Sequence, residues 1–274
     1  MPLRQRQEIQ EVSRSELSPE SYAALALEVA TAAAEVAMRG YRQRPAPTEK
    51  AQHDLVTEHD LASEALIRAR LSAATPDVGL IAEEGGGQAK RLSWYCDPLD
   101  GTTNFVHGHP FWCVSIGLLE EGRPIAGAVV APALGLTWTA HEGGPALRSG
   151  APCRVRENDR LEHALCATGF PPDRRTAPDN NLDTFVRVQK VVRGVRRCGS
   201  AAIDMCMVAD GTYDAYWERR LHAWDLAAGA AVVLSAGGTI TALDGGPVDL
   251  SVGQIIASNG GVHAALQRVI GGET

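Results

Sequence analysis

With 274 residues, 45% of them hydrophobic and 22% charged, the chain has the composition of an ordinary globular protein able to bury a sizeable core. Its 26 basic and 33 acidic residues leave a net charge of −7, and no basic run offers a footprint for nucleic acid. Six cysteines with no C-x-x-C pair read as reduced core thiols of a cytoplasmic protein. The start lacks the apolar stretch of a signal peptide, and no apolar run reads as long enough to span a membrane, since Glu28 and Glu35 interrupt residues 23–38.

Residues 1–17 form a polar tail. Ser18-Pro19-Glu20 places an N-cap before a proline at the first helical position, and predicts a helix to about Arg39 that stops at Gly40. Residues 41–54 read as a loop. Thr57-Glu58-His59-Asp60 is a capping pattern, opening a second helix with Leu61, Ala65, Leu66 and Ala69 on one face. A short apolar run ends in Glu83-Glu84 and three glycines, and residues 92–96 read as a buried strand. Residues 112–119 and 124–130 read as strands joined at Glu120-Glu121-Gly122-Arg123, with 136–140 continuing the meander. Residues 171–181 are a loop rich in proline and charge. Helices follow at 201–209 and 225–236, the second stopped by Gly237-Gly238. The expected organisation is a tail over 1–17, an N-terminal portion over 18–148 carrying the metal-binding motifs, and a C-terminal portion over 149–274 completing the site. Sheet and helix layers would stack alternately.

The most informative stretch is Asp97-Pro98-Leu99-Asp100-Gly101-Thr102-Thr103-Asn104-Phe105. Both acids would emerge where the strand ends and the chain turns. Pro98 fixes φ, Gly101 permits a tight bend, and a short helix starting at Gly101 would present free N–H groups to an anion. Carboxylates beside an anion-binding turn require a cation between them, which points to metal-assisted phosphate chemistry. The spacing excludes a helix-loop-helix calcium loop, which needs acids at alternate positions. Pro98 also stands where a phosphatase with an aspartyl nucleophile would carry that residue.

Glu83 and Asp225 extend the set. Asp225 starts a nearly all-apolar helix just after Trp224, so it is read as buried and in need of a partner. Glu83, Asp97, Asp100 and Asp225 make an all-oxygen set that favours magnesium, manganese or calcium over zinc or copper. His107-Gly108-His109 reads as polar surface.

With these residues in view, the chain resembles the inositol monophosphatase family over nearly all of residues 22–259. Asp97 to Thr103 resembles the family's first signature, and Trp224-Asp225 with Ala227-Ala228-Gly229 resembles the second. Lys50, Asp54, Thr57 and Asp60 are similar to its mobile metal loop, and Glu83-Glu84 to its acidic pair. Gly199-Ser200-Ala201-Ala202 and Glu218 resemble the stretch facing the substrate's alcohol. Ala82 departs from the glycine usual before the acidic pair.

The resemblance implies an α/β fold, a five-layer α-β-α-β-α sandwich, and hydrolysis of a phosphate monoester, myo-inositol monophosphate first. It implies two to three Mg²⁺ ions, with Mn²⁺ able to substitute. One ion falls to Glu83, Asp97 and the Leu99 carbonyl, a second to Asp97, Asp100 and Asp225, and a weaker third near Glu83. Glu83, Thr102 and Asp97 take the catalytic roles. Asp100, Gly101, Thr102, Gly199, Ser200, Ala201, Glu218 and Asp225 take the substrate contacts. Lithium sensitivity and a homodimer are also implied, with no nucleic-acid or membrane partner. Histidinol phosphate, fructose 1,6-bisphosphate and a 3′-phosphoadenosine nucleotide are alternative substrates on the same scaffold. A non-catalytic metal- and phosphate-binding regulator is the reading of a different class, and the complete acid set weighs against it.

Overall fold

The computed structural model describes residues 17–43, 47–51 and 54–273, with only the backbone of residues 49–51 and 54. Lys50 and Asp54 therefore lie, as side chains, outside the described residues. Helix α1 (Pro19–Met38) begins where the sequence places its cap, with Ser18 Oγ accepting the Ser21 N–H at 3.2 Å. Tyr22, Ala26, Val29, Ala33 and Ala37 are buried along one stripe, at the three- and four-residue spacing of a helix laid on a core. By length and composition this helix could cross a membrane, contrary to the reading of residues 23–38, since two glutamates do not outweigh its alanines and valines. Its apolar stripe packs on the first sheet.

Residues 41–54 are not all loop: β1 (Thr48–Ala51) and β2 (Asp54–Val56) form a small antiparallel hairpin. Helix α2 (Glu58–Ala74) has the expected capping box between Thr57 and Asp60. The face it buries is not the expected one. Asp60, Ser63, Glu64, Ile67 and Leu71 point inward, while Leu61 is 54% exposed. The reason is hydrogen bonding: Glu64 accepts the backbone N–H groups of Glu84 and Gly85 at 2.7 and 2.8 Å. Buried donors in a turn need an acceptor more than a small alanine needs burial.

The first sheet contains β3 (Gly79–Ala82), β4 (Gly86–Gln88), β5 (Leu92–Asp100), β6 (Cys113–Glu120), β7 (Arg123–Ala131), β8 (Leu136–His141), β9 (Leu147–Arg148) and β10 (Ala151–Pro152), in the order β10-β9-β8-β7-β6-β5-β3-β4. A five-residue helix α3 (Thr102–Val106) follows β5. The second sheet is built from β11 (Leu165–Thr168), β12 (Gly194–Arg196), β13 (Ala215–Glu218), β14 (Thr239–Thr241) and β15 (Ile255–Ser258), in the order β12-β11-β13-β15-β14. Its strands are three or four residues long, too short to show a period, and sequence reading did not find them. It also missed α4 (Leu182–Gln189) and α7 (His263–Gly271).

Helices α5 (Ala201–Ala209) and α6 (Ala223–Ser235) lie between the two sheets and share one core with both. The α1–α2 layer covers the outer face of the first sheet, and α7 packs on the second. The sequence of layers is α-β-α-β-α, as the resemblance implied. A side-chain carbon at Gly127 would lie 2.8 Å from Ala228 Cα, and one at Gly117 2.5 Å from the Ala228 nitrogen. Helix α6 thus sits nearly in backbone contact with β6 and β7, which only glycine facing alanine permits.

Candidate active site

Strand β5 runs through both acids of the Asp-Pro-Leu-Asp motif rather than ending before them. Asp97 pairs with Ser115 and Asp100 with Cys113, so three steps on β5 oppose two on β6. This is a β-bulge at Pro98-Leu99, and proline suits it because the skipped position needs no ladder donor. In a regular strand, residues three apart face opposite sides. The extra residue brings both carboxylates to one cavity. Gly101 then turns the chain at φ +97° into α3, in the left-handed region that glycine enters without strain.

That cavity, of about 370 Å³, is lined by Glu83, Asp97, Leu99, Asp100, Gly101, Thr102, Gly199, Ser200, Ala201, Glu218 and Asp225. Every residue assigned from the sequence as a metal ligand, a substrate contact or a catalytic group lines it, whereas Thr57 and Asp60 of the expected metal loop do not. Glu83 follows β3, Asp225 sits in the first turn of α6, and the close approach of α6 to β6 carries Asp225 to the end of β5. Ser200 caps α5, and Glu218 ends β13.

The carboxylates are strained electrostatically. Burial, then the charges of Glu83, Asp100 and Asp225, hold Asp97 well above the ordinary carboxylate range. Burial and Asp100 do the same to Asp225, although its carboxylate accepts the His222 N–H at 2.7 Å. Asp100 is pushed by burial to about 6, against the pull of Ser200 Oγ at 2.7 Å and the Ala202 N–H at 2.8 Å, both donating to its Oδ2. Those donors leave its other oxygen for the cavity. Asp97 Oδ1 accepts the Leu99 N–H at 2.9 Å. Among the described residues, no three Asp, Glu, His or Cys side chains converge tightly enough to hold an ion as they stand. Four acids facing one space repel one another, and a cation among them would remove the cause.

On the second-sheet side, Glu218 is buried, accepts the Tyr216 hydroxyl at 2.5 Å, and is raised to about 7, chiefly by burial. Behind it Asp204 is buried with Oδ1 lacking a hydrogen-bond partner, and burial and the Glu218 charge hold its carboxyl well above the usual range.

Sequence reading placed Asp60 in a metal loop. Its Oδ2 accepts the Thr57 hydroxyl and N–H at 2.5 and 2.9 Å, and its Oδ1 faces the central motif: the Thr102 hydroxyl lies 3.2 Å from Asp60 Oδ1 and 3.2 Å from the Leu99 carbonyl, and can donate to either. Three further residues escaped notice. Glu64, paired with Arg68 at 2.7 Å, grips the turn that carries Glu83 and Glu84. Asn104 donates to the carbonyls of Phe111 and Cys198 at 2.6 and 2.8 Å, tying the motif to the Gly199 turn. Arg197 supplies positive charge at the cavity wall. Asn104 was legible as part of the motif run; Glu64 and Arg197 had no local signal.

The model of the inositol monophosphatase family matches residues 18–271. The chain belongs to that family. An inositol-1-monophosphatase of Synechocystis is 43% identical over 220 residues, 79% of this chain and 77% of the relative. The Nus factor SuhB of Pseudomonas aeruginosa is 38% identical over 255 residues, 90% and 94% of the two chains. The solved inositol monophosphatase of Anabaena superposes with a TM-score of 0.85 at 38% identity, covering 93% of this chain and 97% of that one. This member of the family is a phosphoric monoester hydrolase with its α-β sandwich.

Proposed function

We propose that the protein hydrolyses a polyol phosphate, myo-inositol monophosphate first, by direct attack of water with the help of Mg²⁺. The observation that carries this reading is four mutually repelling carboxylates on one cavity, with Arg197 and Arg220 its only lining cations among the described residues. An anionic ester could not enter such a space unless cations came with it. The donor set is all oxygen, which suits Mg²⁺ or Mn²⁺.

Glu83, Asp97 and the Leu99 carbonyl would hold one ion, Asp97, Asp100 and Asp225 a second, and the region near Glu83 a weaker third. When bound, such ions lower the pKa of water and offset charge on the attacking and leaving oxygens. Glu83 and Thr102 orient the water. Thr102 Oγ1 can take up its proton while passing its own to Asp60 Oδ1, where burial favours the protonated acid. The N–H groups of Gly101 and Thr102 hold phosphate oxygens. Asp100, Gly199, Ser200, Ala201 and Glu218 face the alcohol. A homodimer, and a division of the chain at 148/149, belong to the same reading.

The test is phosphate release from myo-inositol 1-phosphate, histidinol phosphate, fructose 1,6-bisphosphate and adenosine 3′,5′-bisphosphate. Activity should vanish with chelator and return with Mg²⁺. Full turnover in excess chelator refutes the mechanism, and activation by Zn²⁺ alone refutes the ligand assignment.

A further inference from the structure

Helix α2 turns a polar stripe toward the site before an apolar stripe takes over. Asp60, Ser63 and Glu64 are buried on one face, and Ile67 and Leu71 continue that face into the core. Each polar member meets a segment that carries a proposed ligand. The Thr102 hydroxyl lies against Asp60 Oδ1. The Ser63 hydroxyl donates to the Pro98 carbonyl at 3.1 Å, one residue before Leu99. Glu64 takes the Glu84 N–H on Oε2 and the Gly85 N–H on Oε1, directly after Glu83.

Glu64 holds its segment most firmly. It is buried, and one helical turn on Arg68 donates from Nε to Glu64 Oε1 at 2.7 Å and from Nη2 to the Gly86 carbonyl at 2.6 Å. The pair thus grips Glu84, Gly85 and Gly86 in succession, two by their N–H groups and one by its carbonyl. Gly85 admits the carboxylate, since a Cβ there would stand 2.7 Å from Glu64 Oε1. On its other side the turn is tied by the Glu83 N–H to the Cys96 carbonyl at 3.2 Å, next to Asp97. The main chain of Glu83 is therefore fixed from β5 before it and from α2 after it. A buried ion pair adds little stability over an apolar pair of the same volume. What this one adds is a fixed place for the turn.

We infer that Glu64 and Arg68 are positioning residues for the metal site: together they set where Glu83 stands relative to Asp97 and the Leu99 carbonyl, and so how tightly that set binds a divalent cation. The inference rests on the reading of the acidic cavity as a metal site. Neither side chain lines that cavity. Both act through the backbone of the turn and not by touching the ion.

The experiment titrates Mn²⁺ alone into the full chain and reads free Mn²⁺ by electron paramagnetic resonance, in the wild type, E64Q, R68Q and L71V. E64Q should raise the Kd of the tightest Mn²⁺ roughly tenfold, and R68Q at least about threefold, as is usual when a group that orients a ligand is lost. The Mg²⁺ concentration for half-maximal phosphate release should rise by the same factors. The two variants change the net charge in opposite directions. Long-range attraction alone would weaken the ion in E64Q and tighten it in R68Q, whereas lost position weakens it in both. Leu71→Val thins the core on the same face of α2 and should lower the urea midpoint. It should leave the Mn²⁺ Kd within about twofold, because the two sites are independent.

An unchanged Kd in E64Q overturns the inference, as does a tighter ion in R68Q or an equal loss in L71V. Should E64Q fail to fold, R68Q decides alone, at a side chain one-third exposed: a weaker ion upholds the inference, and an unchanged or tighter one overturns it. A wild type that binds no Mn²⁺ overturns the metal reading together with this inference, whereas normal wild-type binding with unchanged variants overturns this inference only.

Discussion

Replacing Glu218 by glutamine should change the pH dependence of folding in a direction the structure dictates. Glu218 ends β13, only 8% exposed, with the Tyr216 hydroxyl on its Oε2. Burial raises its carboxyl from an ordinary 4.5 to about 7. The folded state therefore holds this proton more tightly than the unfolded chain does. Stability from this group is complete below about pH 4.5 and is lost as the pH rises to about 7. At about 1.4 kcal/mol per pH unit, the full loss is about 3 kcal/mol. Glutamine has nearly the same shape and does not ionise. In metal-free buffer, reversible urea unfolding from pH 4.5 to 8 should show the wild type losing about 3 kcal/mol relative to E218Q. The altered hydrogen bond with Tyr216 adds an offset that does not vary with pH. With Mg²⁺ present, E218Q should raise KM for myo-inositol 1-phosphate and leave hydrolysis of p-nitrophenyl phosphate little changed. A stability difference flat across the pH range would refute the burial argument. Equal loss on both esters would refute the recognition role.

Asp97→Asn should abolish phosphate release, because Asp97 faces both proposed ion positions; turnover near the wild-type rate would remove the site. The same variant should raise the urea midpoint of the metal-free protein at neutral pH, since it deletes a carboxylate crowded by three others. Gly127→Val should destabilise by about 1–3 kcal/mol or more, because its first added carbon would stand 2.8 Å from Ala228 Cα, and should lower activity by moving Asp225; unchanged unfolding would contradict the close packing of α6. Li⁺ should inhibit at millimolar order and uncompetitively by occupying the Asp97–Asp100–Asp225 position, whereas equal initial rates in matched LiCl and NaCl would show that this position differs from the family's.

Much of the chemistry was legible in one dimension because it is local. A cap, a proline and a glycine act within a few residues, so α1, the Thr57–Asp60 box, the β6–β7 hairpin and the Asp97–Thr103 motif could be read directly. Glu83 and Asp225 stood out because acids next to glycines or in a nearly all-apolar helix are costly without a purpose. The inward face of α2 could not be read, because Glu64 answers to backbone donors twenty residues away. The second sheet was hidden in strands of three or four residues, too short to show a period, and in β13 and β15, buried on both faces, no alternation survives.

The identity of every acid in the site was thus determined by the sequence alone, and so was the chemistry those oxygens favour. Their meeting was decided only by tertiary structure. The bulge at Pro98-Leu99 turns two carboxylates to one side, and two glycines let α6 approach until Asp225 joins them. The positive charge of Arg197 on the same wall belongs to the same order of fact, since Arg197 follows β12 of the second sheet, far along the chain from Asp97 and Asp100. Charges far apart along the chain become one field only when the layers close, because Coulomb interactions depend on distance in space.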